Sequence, residues 1–464
     1  MPSTRYDVII IGAGMSGLAA AIRLAYFDKK VCVLERHYTA GGLNSFYSLG
    51  GYNFDVGLHA VTNYVPPGTR GAPLTKLYRQ LRLTPDDFGL VPQHQSEVRF
   101  PGKTLRFNND FDFFVQEVIE NFPAQKDNFI RLVRYIKDYD ELDLNAKPLS
   151  GRQVVSRFLT DPLLADMIFC PLMIYGNAEE HDMEFGQFAV MFKSILCEGL
   201  ARPWEGVRRI ITVLRRKLRE VGGNVRMKCG VRALHAAGGR VRSVELDNGE
   251  MLTADTVVSS AGYVETMRLC TDCDPEKLAH LEGRLSFVEI ISILDREMKT
   301  LGHDTTNVFF NTGMTFHYEN PKDLVDPRTG VICCPNNFLF DEPLPQSMIR
   351  ITCLANFDRW TALDEPAYVQ AKGEWLPRIH QEVLKFVPDF RGHVMFTDFF
   401  TPRTIKQWTG HLNGAVYGAP HKLKTGRTHL DNLFICGNDQ GFLGIVGSML
   451  SGISMANLHV LKKA

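Results

Sequence analysis

Residues 6–35 read YDVIIIGAGMSGLAAAIRLAYFDKKVCVLE. The β-branched run Val8 to Ile11 predicts a buried parallel strand. It enters Gly12-Ala-Gly14-Met15-Ser16-Gly17 and then an alanine-rich helix. A second strand, Val31 to Leu34, ends at Glu35, eighteen residues past Gly17. Strand, glycine turn, helix, strand and acid in this order form the dinucleotide-binding fingerprint. Gly12 permits the tight turn. Gly14 lets a pyrophosphate reach the N–H groups at the positive end of the helix, and Gly17 lets helix and sheet pack closely. Glu35 is placed to accept hydrogen bonds from a ribose 2′,3′-diol, and its charge repels a 2′-phosphate. The motif alone is common to NAD and FAD sites.

Working outward, 464 residues suffice for two or three domains with full cores. Apolar residues make up 45% and charged residues 22%, as in an ordinary soluble globular protein. Lys+Arg and Asp+Glu are balanced at 52 each, which argues against a nucleic-acid partner. The first strand begins so near Met1 that no signal peptide is expected, and no run of eighteen apolar residues suggests a spanning helix. Cytoplasmic placement is the expectation. The 10 cysteines are scattered, several within apolar strands, as reduced buried thiols would be. Cys270-x-x-Cys273 and Cys333-Cys334 have no His or Cys pair at ligand spacing, so neither a metal nor a disulfide is expected.

Cofactor-type segments recur far from the start. Residues 224–232, NVRMKCGVR, alternate as one strand; Gly238-Gly239 marks a hairpin into Val241 to Leu246; Ala254 to Gly262 reads as a strand ending in small residues. Near the other end Asn432 to Gly437 is a further buried strand, followed by a glycine-rich loop and an apolar helix, Ile445 to Leu461. Between these pieces, residues 110–220 carry helical periodicity, and residues 285–400 contain short strands such as Val288-Glu-Ile-Ile-Ser-Ile-Leu294 and Ile349-Arg-Ile-Thr-Cys-Leu354. The fold class expected is α/β, a Rossmann-type nucleotide domain with an interleaved α+β substrate domain. The nucleotide domain would take residues 1–75, 200–284 and 401–464. Residues 76–199 and 285–400 would form the substrate domain with a helical cap.

After Glu35-Arg36 come Gly41-Gly42-Leu43 and then Phe54-Asp55-Val-Gly57-Leu-His59. This spacing resembles the phytoene desaturase, carotenoid isomerase and retinol saturase family, relatives of the amine oxidases. The resemblance continues in Arg202-Pro203-Trp-Glu-Gly206, a departed form of that family's Pro-x-Gly-Gly segment, and in Leu433-Phe-Ile-Cys-Gly437-Asn438-Asp439 with Gly444-Ile445-Val446-Gly447. It spans residues 6 to 457, firmly in the cofactor segments and loosely in the inserts. It implies FAD as the cofactor. It adds to the fingerprint residues Arg36, Gly41, Gly42, Leu43, Asp55, Gly57, Ala261, Gly262 and the C-terminal set Gly437, Asn438, Asp439, Gly444, Ile445, Val446 and Gly447. Val231 is the position at which the family holds the adenine through its backbone. Physical chemistry agrees with a flavin: Gly41-Gly42 supplies donors without bulk, Asp439 suits ribitol or a phosphate bridge, and the last helix offers free N–H groups near the ring.

What the resemblance implies for activity is desaturation, saturation or isomerisation of C–C double bonds in a long apolar isoprenoid or polyene. Net oxidation or reduction then requires an external electron acceptor or donor. No second strand–GxGxxG–helix unit occurs, so no tightly bound nicotinamide is expected. His59 would lie beside the flavin and carry the proton that accompanies hydride transfer, or else be a packed, hydrogen-bonded histidine. Arg208-Arg209 and Arg215-Arg-Lys-x-Arg219 put a basic face on an amphipathic helix, which is either a solvated face or a peripheral contact with anionic lipid. The alternatives are a flavin amine oxidase, for which no aromatic pair or lysine can be assigned, and a non-catalytic FAD- or lipid-binding protein.

Overall fold

The structure is a computed structural model that describes residues 4–141, 143 and 146–462. Two seven-stranded sheets organise it. In the first, Thr4–Ile11 lies between Val31–Leu34 and Met251–Ser259 and is parallel to both. Asn224–Arg226 extends the Val31–Leu34 side in parallel. The far edge of Met251–Ser259 is shared. Its C-terminal half pairs in parallel with Leu433–Ile435, and its N-terminal end pairs antiparallel with Arg240–Leu246.

Alternation along the first strand decides which core each residue enters. Val8 and Ile10 face the helix Met15–Ala25, whereas Ile9 and Ile11 face a smaller core around Met267 and Leu430. That helix is covered by Val207–Glu220 and Gly444–Ala456 as well as by the sheet, so ten of its eleven residues are buried. This explains its alanines: a helix enclosed on all sides needs small residues for close approach. At the tightest crossing a Cβ on Gly452 would sit 2.0 Å from the carbonyl oxygen of Ser16.

The second sheet runs Val394–Phe400, Ser286–Leu294, Ser347–Ala355, Val325–Cys333, Asn307–Asn311, Ser96–Phe100, Lys103–Phe107. All its pairings are antiparallel except Asn307–Asn311 with Ser96–Phe100. One face packs on Glu365–Val383 through Trp375 and Ile379; the other packs on Pro162–Gly176 and Phe185–Phe192. A sheet covered on both faces accounts for Ser286–Leu294 being buried along its whole length.

Three sequence expectations change. Residues 224–232 are not one strand. Asn224–Arg226 and Val231–Ala237 lie at opposite ends of the first sheet, because Lys228 takes φ +54° and the N–H groups of Lys228 and Cys229 bond to His37 and Glu35 as the chain crosses the sheet's end. The boundary after residue 75 falls inside the helix Pro73–Leu81, whose Leu74, Leu77 and Leu81 are buried in the first core. Finally, Gly444–Leu461 forms one stretch of 18 residues, long and apolar enough to cross a membrane by length and composition, with 61% of it buried inside the protein.

Candidate active site

The strand ends of the first sheet open into a cleft of about 660 Å³. It begins at Ile11, Gly12 and Gly14, passes Glu35, Arg36 and Val231, and continues between Phe46–Leu49 and the helix Pro402–Thr409. The glycine turn is built for close approach. Gly12 has φ +93°, and a Cβ there would lie 2.6 Å from Ser260 Oγ, which donates to the Gly12 carbonyl at 3.1 Å. A Cβ at Gly17 would lie 2.1 Å from that same carbonyl oxygen. Gly41, at φ +120°, donates its N–H to Ala13 O at 2.9 Å and bridges Gly14, so the Gly41-Gly42 loop lies against the turn. Gly14 begins the helix without a side-chain cap. Its first N–H groups are therefore left to an anion.

Glu35 is buried beneath this turn. Its carboxylate accepts from the N–H groups of Ala13 at 2.8 Å and His37 at 2.9 Å, which fixes it at the cleft wall. The buried Nε2 of His37, another lining residue, has no hydrogen-bond partner. Arg36 folds over Gly410, and the exposed rings of Tyr38 and Trp408 flank the mouth. His411 and Glu265 also line the cleft, 3.4 Å apart. Burial works against the charge on both, but their mutual attraction wins: the His411 pKa is raised and that of Glu265 lowered.

Of the residues expected at the cofactor, Gly12, Gly14, Glu35, Arg36, Gly42, Leu43, Val231 and Ala261 line this cleft. Met15, Ser16, Gly17 and Gly41 shape it from behind. The C-terminal set meets the first helix at its N-terminal end. A Cβ on Gly437 would lie 2.8 Å from Ser16 Oγ, and the Gly437 N–H is held by Ser451 Oγ at 2.8 Å. Asn438 is tied to Val416 O and Ser448 Oγ, and Gly444, at φ +71°, begins the helix that carries Ile445, Val446 and Gly447 beside Thr62.

Two expected cofactor acids are not among the residues lining the cleft. The Asp439 carboxylate, 1% exposed, accepts the N–H groups of Tyr263 at 2.6 Å and Ala419 at 2.8 Å, with Lys422 Nζ at 3.7 Å. It joins the Gly262 turn, whose glycine takes φ +101°, to the 415–423 loop instead of facing the cleft. Asp55 is buried against Arg202, with which it forms an ion pair, and accepts the Val207 N–H at 3.1 Å. Gly206 is required there, because a Cβ would lie 2.1 Å from Asp55 Oδ2.

His59 is not among the residues lining the cleft either; it sits in a buried polar network. Arg202 Nη1 donates to the carbonyls of Leu58 at 2.6 Å and His59 at 3.1 Å. From the second sheet the fully buried Arg350 donates to Leu58 O and Val56 O, both at 2.8 Å, and to Glu289 Oε1 at 2.6 Å. The segment from Val56 through Gly57 to His59 is thus clamped by two guanidinium groups, each with its own carboxylate. The His59 Nε2 lies 3.0 Å from Thr352 Oγ1 and 3.3 Å from Glu289 Oε1, and its ring stacks on Tyr175 at 5.8 Å. Burial pushes the His59 pKa down despite Glu289. Burial tends to raise Glu289, but Arg350 and His59 outweigh it and hold its pKa below the usual value. A neutral His59 would donate from Nε2 to the Glu289 carboxylate and leave Nδ1 as an acceptor.

The sequence reading missed Arg350 and Glu289. The signal was present: each is a lone charge inside an apolar strand, and such a charge is nearly always paired. Register supplies the rest. Glu289 pairs with Thr352, so Glu289, Arg350 and Thr352 share one sheet face. The cleft wall at 398–411 carries no local motif. The basic helix face is largely engaged within the protein: Arg208 lies over Phe46, Arg209 donates to Asp86 O and Asp87 O, and Arg216 pairs with Asp87.

An uncapped helix start beside a glycine turn, a buried acid at the end of the second strand and a discontinuous wall define a flavin-nucleotide oxidoreductase fold. The comparisons agree. The family described as flavin containing amine oxidoreductase matches residues 15–266, and the chain belongs to it. The chloroplastic prolycopene isomerase of Arabidopsis thaliana is 23% identical over 97% of this chain and 82% of its own length. The all-trans-retinol 13,14-reductase of Rattus norvegicus is 23% identical over 99% and 86%. Among solved structures, an oxidoreductase from Methanosarcina mazei superposes with a TM-score of 0.69 at 18% identity, covering 99% of this chain and 100% of that one. The protein is an FAD-dependent oxidoreductase. The uncapped helix, the His37 Nε2 and the glycine cradle fit FAD; Glu35, Gly14, Gly42 and Val231 would hold its ADP half.

Proposed function

We propose that this chain acts on the C–C double bonds of a long, apolar, isoprenoid- or carotenoid-like polyene, by isomerisation, saturation or desaturation. The observation that carries the reading is its near full-length match to both a prolycopene isomerase and a retinol reductase, at equal identity. The geometry supports it. The His59 ring stacks on Tyr175, which packs in turn on Phe309 in a phenylalanine- and methionine-rich interior. When bound, FAD supplies the hydride chemistry; the protein's part is to orient an apolar chain, exclude water and move one proton. Neutral His59, with Nε2 held by Glu289, is the group that would move it. The first sheet with its helices, the helix Pro73–Leu81 included, would hold most of the cofactor, and the second sheet with its helices would receive the polyene. Saturation or desaturation also requires an external electron donor or acceptor.

The test mixes anaerobic protein, with its flavin either oxidised or photoreduced, with poly-cis carotenoid, retinol and putrescine, followed by flavin absorbance and chromatography. A polyene isomerised, or exchanging electrons with one flavin state, is expected. Reduction by the amine alone would replace this reading with amine oxidation. No reaction with any of the three would leave a binding protein. His59→Ala is expected to slow the polyene step with FAD retained; unchanged turnover removes His59 from it.

A further inference from the structure

Cys270-x-x-Cys273 has no ligand partner nearby in sequence, but the fold brings one from 156 residues away. Cys270 closes the helix Tyr263–Leu269, and a tight turn follows in which Cys273 N–H bonds to Cys270 O at 3.3 Å. The turn is pinned to the edge strand Val231–Ala237: Thr271 N–H bonds to Leu234 O at 3.0 Å, and Ala236 N–H to Thr271 Oγ1 at 3.2 Å. Opposite it, the residues leading into Leu433–Ile435 are fixed by Thr428, whose Oγ1 donates to Leu433 O at 2.9 Å. Leu430 is buried in the same small core as Cys270 and Met267. His429 projects between the two arms. Its Nε2 lies 3.7 Å from Cys273 Sγ and 3.2 Å from Asp272 Oδ2. The two sulfurs and a carboxylate oxygen of Asp272 lie within 4.8 Å of one another.

We propose that Cys270, Asp272, Cys273 and His429 form a tetrahedral site for a thiophilic divalent cation of the zinc class, stapling the end of this helix to the strand Leu433–Ile435. Donors bound about 2.0–2.3 Å from such an ion lie roughly 3.3–3.8 Å apart. The separations of His429 from Cys273 and Asp272 already fall near that range; His429 lies outside the set of donors within 4.8 Å of one another, so Cys270 and His429 must draw together as the ion binds. Sulfur and imidazole ligands select zinc over magnesium or calcium. One ring nitrogen faces a thiol and a carboxylate together, so three of the four donors already converge. Cys273, Asp272 and His429 are partly exposed, so an ion can enter from solvent.

Cation binding would release both thiol protons to solvent and so weaken as the pH falls. The staple lies at the C-terminal end of the helix whose Glu265 and Leu269 line the cofactor cleft, and its ligands are not among the lining residues, so it would steady that wall without touching the chemistry.

The test uses FAD-loaded protein, stripped with chelator and reloaded with Zn(II) or Co(II). About one ion per chain and a cobalt–thiolate charge-transfer band are expected. His429→Ala should weaken binding tenfold or more, by analogy with losing a ligand or its partner. Cys273→Ser should abolish the band. The yellow flavin absorbance of both variants should be retained, which shows that the fold survives. No uptake by the stripped protein at micromolar metal, equal uptake by Cys273→Ser, or a Cys270–Cys273 disulfide in freshly purified protein would each overturn the proposal.

Discussion

Arg350 and Glu289 lie diagonally across adjacent antiparallel strands of the second sheet, and their buried ion pair reaches out of that sheet to hold the backbone of the Val56–Leu58 segment. Arg202 and Asp55 approach the same segment from the side of the first sheet. The two sheets therefore meet over a short polar seam, with Gly57 and His59 at its centre. A buried ion pair is seldom retained for stability alone, since an apolar pair of similar volume is often as stable. Here the guanidinium groups also hold the carbonyls of Val56, Leu58 and His59. That is a positioning task an apolar pair cannot perform.

Removing one partner leaves an uncompensated buried charge, so Arg350→Met or Glu289→Gln should lower unfolding stability by about 3–5 kcal/mol. The double variant Arg350→Met/Glu289→Leu should recover only part of this, because Val56 O then lacks its donor, at about 1–3 kcal/mol. Urea unfolding followed by circular dichroism distinguishes the cases. Full recovery would mean that Arg350 does not organise the Val56–His59 segment.

How far the sequence anticipated this arrangement depends on the distance between partners. The glycine turn, the first helix and Glu35 are consecutive, so their geometry follows from local rules. The Arg350–Glu289 pair spans 61 residues and depends on strand register, which periodicity does not encode. Asp439 is expected at ribitol or a phosphate bridge because acids near glycine loops often are; its bonds to the Tyr263 and Ala419 amides join residues 176 and 20 positions away, which no local pattern encodes. Residues 224–232 alternated like a single strand, and the φ of Lys228 broke them in two.

Acid should destabilise the protein through buried histidines. Burial pushes His303 and His380 down to about 4, and His59 and His459 shift in the same direction. A histidine whose folded pKa lies below its unfolded value of about 6.5 binds fewer protons when folded. Its stabilisation is therefore complete above about pH 6.5 and is lost as the pH falls towards 4. His303 and His380 each bury an Nε2 with no partner among the described residues, so a proton placed there finds no acceptor among them. His411 acts oppositely: its folded pKa is raised, so its contribution is present at low pH and lost as the pH rises through that value. His303→Gln and His380→Gln should each flatten the pH dependence by about 1.4 kcal/mol per pH unit between 6 and 4.5. An unchanged slope in urea midpoints would show that these rings titrate normally.

Gly452 touches no part of the cleft, yet its replacement should reach the cofactor. A Cβ would lie 2.0 Å from the carbonyl oxygen of Ser16, which is backbone and has no rotamer to escape into. Gly452→Ala must therefore part the first and last helices and shift the uncapped N-terminus at Gly14. Overpacking of this kind costs about 1–3 kcal/mol. If that cost falls on the bound geometry, FAD affinity should drop roughly 5- to 150-fold. Flavin fluorescence on titrating apoprotein reads this directly. Wild-type affinity would mean that the helices separate without disturbing the turn.

Asp439→Asn separates two roles for the same carboxylate. Asp439 accepts one backbone N–H on each oxygen, from Tyr263 and from Ala419. Asparagine offers a single oxygen, so one amide must face an NH2 donor and go unsatisfied. Lys422 also loses its carboxylate neighbour; burial already pushes its pKa down, and the change should push it further. Together these should lower the stability of the flavin-free apoprotein by about 1–3 kcal/mol for the unsatisfied amide alone. Asp439→Glu should not restore it, because the longer side chain has no space: Gly418 already lies so close that a Cβ there would meet Asp439 Oδ1 at 1.9 Å. If Asp439 instead served FAD directly, the apoprotein of Asp439→Asn would unfold at the wild-type urea concentration and only the FAD dissociation constant would rise. Measuring both quantities on the same preparation decides between a ligand and a brace, and the geometry here predicts a brace.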